Sequence, residues 1–165
     1  MAVMTHVCLV CMGNICRSPM AEVVLRRVLD DHGLSGEVVV DSAGTGGWHA
    51  GMPMDERALS TLSSRGYDGS THRARQFERA WFGERDLVLA MDGDNLRELR
   101  RLAPASADLR LFRSFDPAAP AGAEVPDPYY GGIDGFLDVL TMVEAAAQGL
   151  AAYLASLRSA GSQRP

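Results

Sequence analysis

Cys11, Arg17 and Ser18 stand close together near the amino terminus, in the run Cys11-Met12-Gly13-Asn14-Ile15-Cys16-Arg17-Ser18, or C-x5-R-S. A cysteine thiolate is a strong nucleophile. A guanidinium a few residues away can grip two oxygens of a phosphoryl group with its planar fork and stabilise the charge spread over them during transfer. A serine hydroxyl beside the sulfur can donate to it, favouring the thiolate before attack and as leaving group afterwards. The amides of Gly13, Asn14, Ile15 and Cys16 complete an anion cradle if the loop is tight, and Gly13 and Asn14 tolerate the positive φ such a turn demands. The chemistry expected of this run is phosphoryl transfer through cysteine.

C-x5-R alone is a pattern that chance produces, and Cys11 alone would read as an ordinary buried cysteine. The flanks make the match specific. Val7-Cys-Leu-Val10 reads as a buried first strand. Ser18-Pro19 opens a helix with proline at its first position, where a missing amide costs nothing. Ala21, Val24, Leu25 and Val28 keep one face of that helix apolar, and Gly33 ends it. A loop between a strand's carboxyl end and a helix's amino end lies where α/β folds bind ligands, at the positive end of the helix dipole. The same field favours the thiolate of Cys11.

The rest of the chain supplies the elements to hold such a loop. Val38 to Val40 is a second strand, followed by a glycine-rich loop from Ala43 to Gly51. Asp55 to Arg65 reads as a helix stopped by Gly66, and Asp86 to Met91 as a third buried strand. Asp92 or Asp94 caps the next helix, which Pro104 terminates; Leu109 to Phe112 is the fourth strand. In the last helix Phe136, Val139, Leu140, Val143, Ala146, Ala147, Leu150, Tyr153, Leu154 and Leu157 share one face. Strands alternating with amphipathic helices predict a single α/β domain over residues 1–158, with a parallel sheet and a frayed tail over 159–165.

Between the fourth strand and the last helix, Arg113 to Gly132 has no periodicity and four prolines, Pro117, Pro120, Pro126 and Pro128. Structureless loops of this length are uncommon in compact domains and usually functional. Asp127-Pro-Tyr-Tyr130 lies in it. By itself the tetrapeptide reads as a turn. Beside a phosphoryl-transferring cysteine, Asp127 gains a role: an alcohol leaving from phosphorus needs a proton, and for a phenol of pKa ~10 a carboxylic acid can give it in the transition state.

Composition narrows the partners. In 165 residues with a formal net charge of -5, nothing basic dominates, which argues against nucleic acid or an anionic membrane as partner. All 16 basic residues are arginine, so Schiff-base lysines and the G-x4-G-K nucleotide loop are excluded. Cys8, Cys11 and Cys16, odd in number and crowded at one end, make a poor disulfide framework and a poor zinc site. His6, His32, His49 and His72 lack metal-ligand spacing, so neither a metal nor another cofactor is expected. No run approaches the ~18 apolar residues of a membrane span, and the start lacks the pattern of a secretory signal, so a cytoplasmic protein is expected.

The stretch Val10 to Glu22 and the later Asp127-Pro-Tyr-Tyr130 closely resemble the low molecular weight protein tyrosine phosphatases. The resemblance extends over nearly the whole chain, through Ser42-Ala-Gly-Thr45, Trp48, His72-Arg-Ala-Arg75, Met91-Asp92 and Asn95. It implies a four-stranded parallel sheet flanked by helices on both faces, no metal, and hydrolysis of phosphotyrosine in proteins through a phosphocysteine intermediate. It carries over Cys11 as nucleophile, Arg17 as phosphate clamp, Ser18 as thiolate partner and Asp127 as general acid and later base. Met12, Trp48, Tyr129 and Tyr130 match the walls of the family's substrate cleft. Asn14, Ser42 and His72 match a hydrogen-bond set that shapes the phosphate loop. Cys16 matches a second loop cysteine able to pair reversibly with Cys11, while Cys8 reads as core. Phosphate-like oxyanions are expected as inhibitors.

Three other readings compete. Thioredoxin-coupled arsenate reductases use a similar loop but need two further cysteines in mid-chain, and none follows Arg17 here. Protein arginine phosphatases share the fold but tend to carry threonine where this chain has Ile15. A phosphotyrosine-binding module without turnover would be expected to lack Cys11 or Asp127, and both are present.

Overall fold

The computed structural model describes residues 4–162, with side chains through Arg158. Four strands, β1 (Thr5–Cys11), β2 (Val38–Gly44), β3 (Leu87–Ala90) and β4 (Leu109–Leu111), form one parallel sheet in the order β2-β1-β3-β4. Helices α1 (Arg17–Asp31), α2 (Glu56–Ser64), α3 (Gly93–Leu102) and α4 (Ile133–Ser162) cover it. The α/β class, the four strands and their parallel pairing match the expectation from sequence.

Strand alternation sorts the core into two layers. Val7, Leu9 and Cys11 of β1 point into the larger one, with Met20, Leu25 and Leu29 of α1, Leu62 of α2 and Phe136, Leu140, Val143 and Leu150 of α4. Cys8 and Val10 point the other way, into a layer with Phe77, Phe82, Val88 and Leu99 of α3. A central strand buried on both faces must be apolar throughout, which is why β1 reads as an unbroken hydrophobic run. By length and composition α4 contains, among the described residues, the one stretch able to cross a membrane (Ile133–Arg158). Its apolar stripe, however, is buried against this core.

The strand order creates the site. β1 is flanked by β2 on one side and β3 on the other, and the helices that follow β1 and β3 lie on opposite faces. The loops after these two strands therefore part company at their carboxyl ends and leave a crevice there. Cys11 ends β1, and Met91 and Asp92 follow β3.

Several boundaries differ from the sequence reading. α1 begins at Arg17, so Pro19 is its third residue; the first four amides of a helix have no intrahelical acceptor, and proline is tolerated throughout that turn. The glycine-rich loop starts only after Gly44, because β2 stays paired with β1 as far as Cys11 and Gly44. Asp92 is the residue that caps α3, accepting from the Asn95 amide at 2.8 Å. β4 stops at Leu111 and Phe112 enters a 3-10 turn (Phe112–Phe115); a second such turn, Arg79–Gly83, had no periodic signal. The α4 backbone continues past Ser159 to Ser162, where a frayed tail was expected; residues 163–165 of that tail lie outside the described residues.

Candidate active site

The loop from Cys11 to Cys16 wraps the sulfur of its own first residue. Cys11 is only 3% exposed. The Asn14 amide donates to its Sγ at 3.3 Å and the Ser18 hydroxyl lies 3.0 Å away. Cys16 caps α1 without a side-chain bond, and the first turn of α1 holds no acidic residue. The positive end of the helix is thus left unneutralised and free to act on an anion.

The loop's shape depends on Asn14, at φ +58°, where the chain has no other positive-φ residue that is not glycine among the described residues. Its buried side chain explains how this is held. Nδ2 donates to Ser18 Oγ (2.9 Å) and to Ser42 Oγ (3.0 Å), while Oδ1 accepts from the Arg75 amide (2.9 Å). The last bond fixes which end of the amide is oxygen. Ser42 in turn donates to Glu22 Oε1 at 2.6 Å. His72 Nε2 donates to the Asn14 carbonyl at 2.7 Å, since a carbonyl oxygen can only accept, and burial lowers the His72 pKa. The buried side-chain polar atoms of Asn14, Ser18 and Ser42 all have partners, as a strained loop in a low-dielectric setting needs. β2 approaches so closely that a Cβ on Gly44 would sit 2.7 Å from the Met12 carbonyl oxygen.

Arg17 is held from behind. Its Nη1 donates to Asp92 Oδ2 at 2.5 Å and to the Val125 carbonyl at 3.1 Å. Nε and Nη2 make no hydrogen bond among the described residues, which leaves one edge of the fork for a ligand. Burial works against the charge on Arg17, but Cys11, Asp92 and Asp127 outweigh it and raise its pKa further. Asp127 Oδ2 lies 3.9 Å from Arg17 Nη2, while its Oδ1 accepts from the Tyr129 amide at 3.1 Å. A small cleft of about 90 Å³ opens between these groups, with Met12, Ile15, Tyr129 and Tyr130 in its wall. Tyr130 is 91% exposed and stands edge-on to Tyr129, ring centres 5.1 Å apart.

A thiol, an arginine fork and a carboxylate around one anion-sized cleft are an arrangement suited to phosphoryl transfer, and the comparisons with known proteins show the family. Residues 6–161 match the low molecular weight phosphotyrosine protein phosphatase family. The chain belongs to that family. It is 57% identical over 151 residues to a low molecular weight protein-tyrosine-phosphatase of Streptomyces coelicolor, covering 89% of this chain and 92% of that one. A protein tyrosine phosphatase of Entamoeba histolytica, solved with Hepes in its active site, superposes with TM-score 0.89 at 36% identity, covering 93% and 99% of the two chains. A Drosophila arginine phosphatase shares the fold at TM-score 0.80 and 28% identity, covering 90% and 96%.

Of the residues this phosphatase was expected to use, the structure gathers Cys11, Met12, Gly13, Ile15, Cys16, Arg17, Asp127, Tyr129 and Tyr130 around the cleft. Asn14, Ser18, Ser42 and His72 lie beneath the loop as one hydrogen-bonded set. Trp48 is the exception. It is 73% exposed, its ring over Gly46, and it does not line the cleft. Glu22, Gly44 and Asp92 support the site without having been singled out as site residues. Asp92 had a readable signal, since an acid just past the carboxyl end of a buried strand points at the crevice. Glu22 reads by its helix position as an ordinary surface acid, and its signal is its place at the end of the Val10 to Glu22 stretch.

Proposed function

We propose that this phosphatase hydrolyses phosphotyrosine in proteins through a phosphocysteine intermediate on Cys11. The observation that carries the reading is the position of Cys11 Sγ, at a cleft shared with Arg17 and Asp127 and bonded to Ser18 Oγ and the Asn14 amide. In the first step the Cys11 thiolate attacks phosphorus in line with the aryl oxygen. The S–P bond forms, the P–O bond breaks, and the leaving oxygen takes a proton from Asp127. Arg17, through Nε and Nη2, and the loop amides hold the other three oxygens as charge shifts among them. In the second step Asp127, now a carboxylate, takes a proton from water as it attacks phosphorus. Inorganic phosphate leaves, and Ser18 and the Asn14 amide receive the sulfur anion.

Oyxanions that resemble phosphate should compete for the same cradle. The three cysteines, all free, suit a reducing compartment, and we assign the protein to the cytoplasm.

Phosphoarginine is the second reading, favoured by the shared fold of the Drosophila arginine phosphatase. Against it stands Ile15 in the cleft wall. A phenol ring gains from contact with an aliphatic side chain, whereas phosphoguanidinium donors buried against one lose their partners. Measuring kcat/KM for matched phosphotyrosine and phosphoarginine peptides tests the assignment. A preference for phosphotyrosine supports it, and a preference for phosphoarginine overturns the substrate while leaving the cysteine chemistry intact.

A further inference from the structure

The segment that carries Asp127 is attached to the rest of the protein in an unusual way. Within 127–131 the hydrogen bonds are local: Tyr129 N–H to Asp127 Oδ1 at 3.1 Å and Gly131 N–H to the Pro128 carbonyl at 3.1 Å. Among the described residues a single side chain donates to this segment from outside, and it belongs to α2. Arg57 Nη1 reaches the Tyr129 carbonyl at 2.9 Å and the Gly131 carbonyl at 3.4 Å.

Arg57 is itself aimed with care. Its Nε and Nη2 bond the two oxygens of Asp55, at 3.2 and 3.1 Å. Its guanidinium lies over the ring of the fully buried Phe136, 4.7 Å from the centroid, and 5.3 Å from that of Tyr129. Asp55 caps α2 and donates its own amide to the Ile15 carbonyl at 2.9 Å. A continuous path therefore joins the phosphate loop to the acid-bearing segment: Ile15 carbonyl, Asp55, Arg57, Tyr129 carbonyl. The near end of that path sets Asp127, because the Tyr129 amide occupies Oδ1 and leaves Oδ2 turned toward Arg17 and the cleft.

We infer that Arg57 is a positioning residue for the reaction, holding the Asp127 segment in register with the phosphate loop so that Oδ2 meets the leaving oxygen. It touches neither substrate nor the reacting atoms, and the inference rests on Asp127 being the general acid. Rigid placement matters because a misplacement of about 1 Å can cost on the order of a hundredfold in rate. Lysine in its place would offer a point charge to one carbonyl and could not also fork onto Asp55.

The experiment is a leaving-group series, aryl phosphates from p-nitrophenol to unsubstituted phenol, run on wild type, Arg57→Met, Arg57→Lys, Asp127→Asn and the double variant Arg57→Met/Asp127→Asn. Methionine keeps the length and the apolar contact with Phe136 while removing the donors. The expected result is a fall in kcat/KM of about 10–100-fold for phenyl phosphate in Arg57→Met, with a much smaller loss for p-nitrophenyl phosphate, whose anion leaves without help. Arg57→Lys should recover part of the loss, inhibition by inorganic phosphate should stay at the wild-type constant, and the double variant should be no slower than Asp127→Asn. Equal slowing of both substrates by Arg57→Met and Arg57→Lys, or losses that multiply in the double variant, would overturn the inference. If Asp127→Asn itself left the leaving-group dependence unchanged, the fault would lie in the general-acid assignment.

Discussion

Asn14 Nδ2 donates to Ser18 Oγ at 2.9 Å, so the serine accepts there and its own proton is free for the Cys11 sulfur 3.0 Å away. Among the described residues the one other acceptor in reach is the Ala43 carbonyl, at the longer distance of 3.3 Å. The loop thus lets Ser18 turn its hydroxyl dipole toward the sulfur before any substrate arrives. The benefit is largest when the sulfur is an anion, as the proposed mechanism requires of it both as nucleophile and as leaving group.

Ser18→Ala removes that donor. A hydrogen bond to a charged group contributes about 1.5–3 kcal/mol, which corresponds to roughly 10–150-fold in rate. Loss at the second step should make phosphoenzyme accumulate, visible as a burst of phenol ahead of steady turnover. A Ser18→Ala enzyme with wild-type kcat would show that the contact does not act on the sulfur.

Asp92 serves two elements with its two oxygens, Oδ1 capping α3 and Oδ2 receiving Arg17. In Asp92→Asn the carbonyl oxygen can keep the cap, but an amide nitrogen then faces the guanidinium. Arg17 is only 4% exposed at its side chain, so removing its charged partner should cost about 3 kcal/mol of stability and let the fork swing from its aim. Thermal unfolding and the inhibition constant of inorganic phosphate measure the two effects separately. An unchanged phosphate constant would mean that Val125 and the packing alone aim Arg17.

Oxidation offers a pH test. Burial pushes the Cys16 thiol up to about 12, with Asp55, Cys11 and Asp127 adding to the rise. A raised thiol pKa means that the thiolate appears only as pH climbs toward that value. Peroxide-oxidised Cys11 should therefore pair with Cys16 slowly at neutral pH, and the rate should rise up to about tenfold per pH unit. Mass spectrometry of the 11–16 disulfide after equal exposure to peroxide at several pH values follows this directly. A pairing rate that fell or stayed flat with rising pH would contradict it.

Ile15→Thr changes the wall of the cleft at nearly constant volume and supplies a hydroxyl acceptor. Unpaired buried donors cost about 1–3 kcal/mol, so the phosphoarginine-to-phosphotyrosine ratio should shift by roughly 5–150-fold toward phosphoarginine. If matched peptides show no shift, discrimination lies in Met12, Tyr129 and Tyr130 instead.

What could be read beforehand divides along physical lines. The strands were legible because a parallel sheet covered on both faces leaves runs such as Leu87 to Ala90 without a polar break. The helices were legible through their apolar stripes and through caps such as Asp92. Cys11 and Arg17 were legible because their spacing only makes sense between a strand and a helix. Asp127 was not legible from periodicity, since an aspartate before proline is an ordinary turn; the need of a phosphoryl-transferring cysteine for an acid, and then the family likeness, singled it out. Arg57 shows the limit most clearly. In sequence it is a charged residue in the first turn of a helix beside a capping aspartate, whereas its bond to Tyr129 spans 72 positions and depends on how α2 packs against α4. The last turn of α4 had no signal, because small residues such as Ala160 and Gly161 carry no stripe to follow.

The proposed mechanism requires a phosphoryl group to pass through Cys11. Rapid denaturing quench of wild type and Ser18→Ala during turnover of a phosphotyrosine peptide, followed by peptide mass spectrometry, locates that group. Phosphate is expected on Cys11 in both, more of it in Ser18→Ala, and none on any residue of Cys11→Ser, which should also release no inorganic phosphate. Steady release of phosphate with Cys11 unmodified at every quench time, or undiminished turnover by Cys11→Ser, would contradict it.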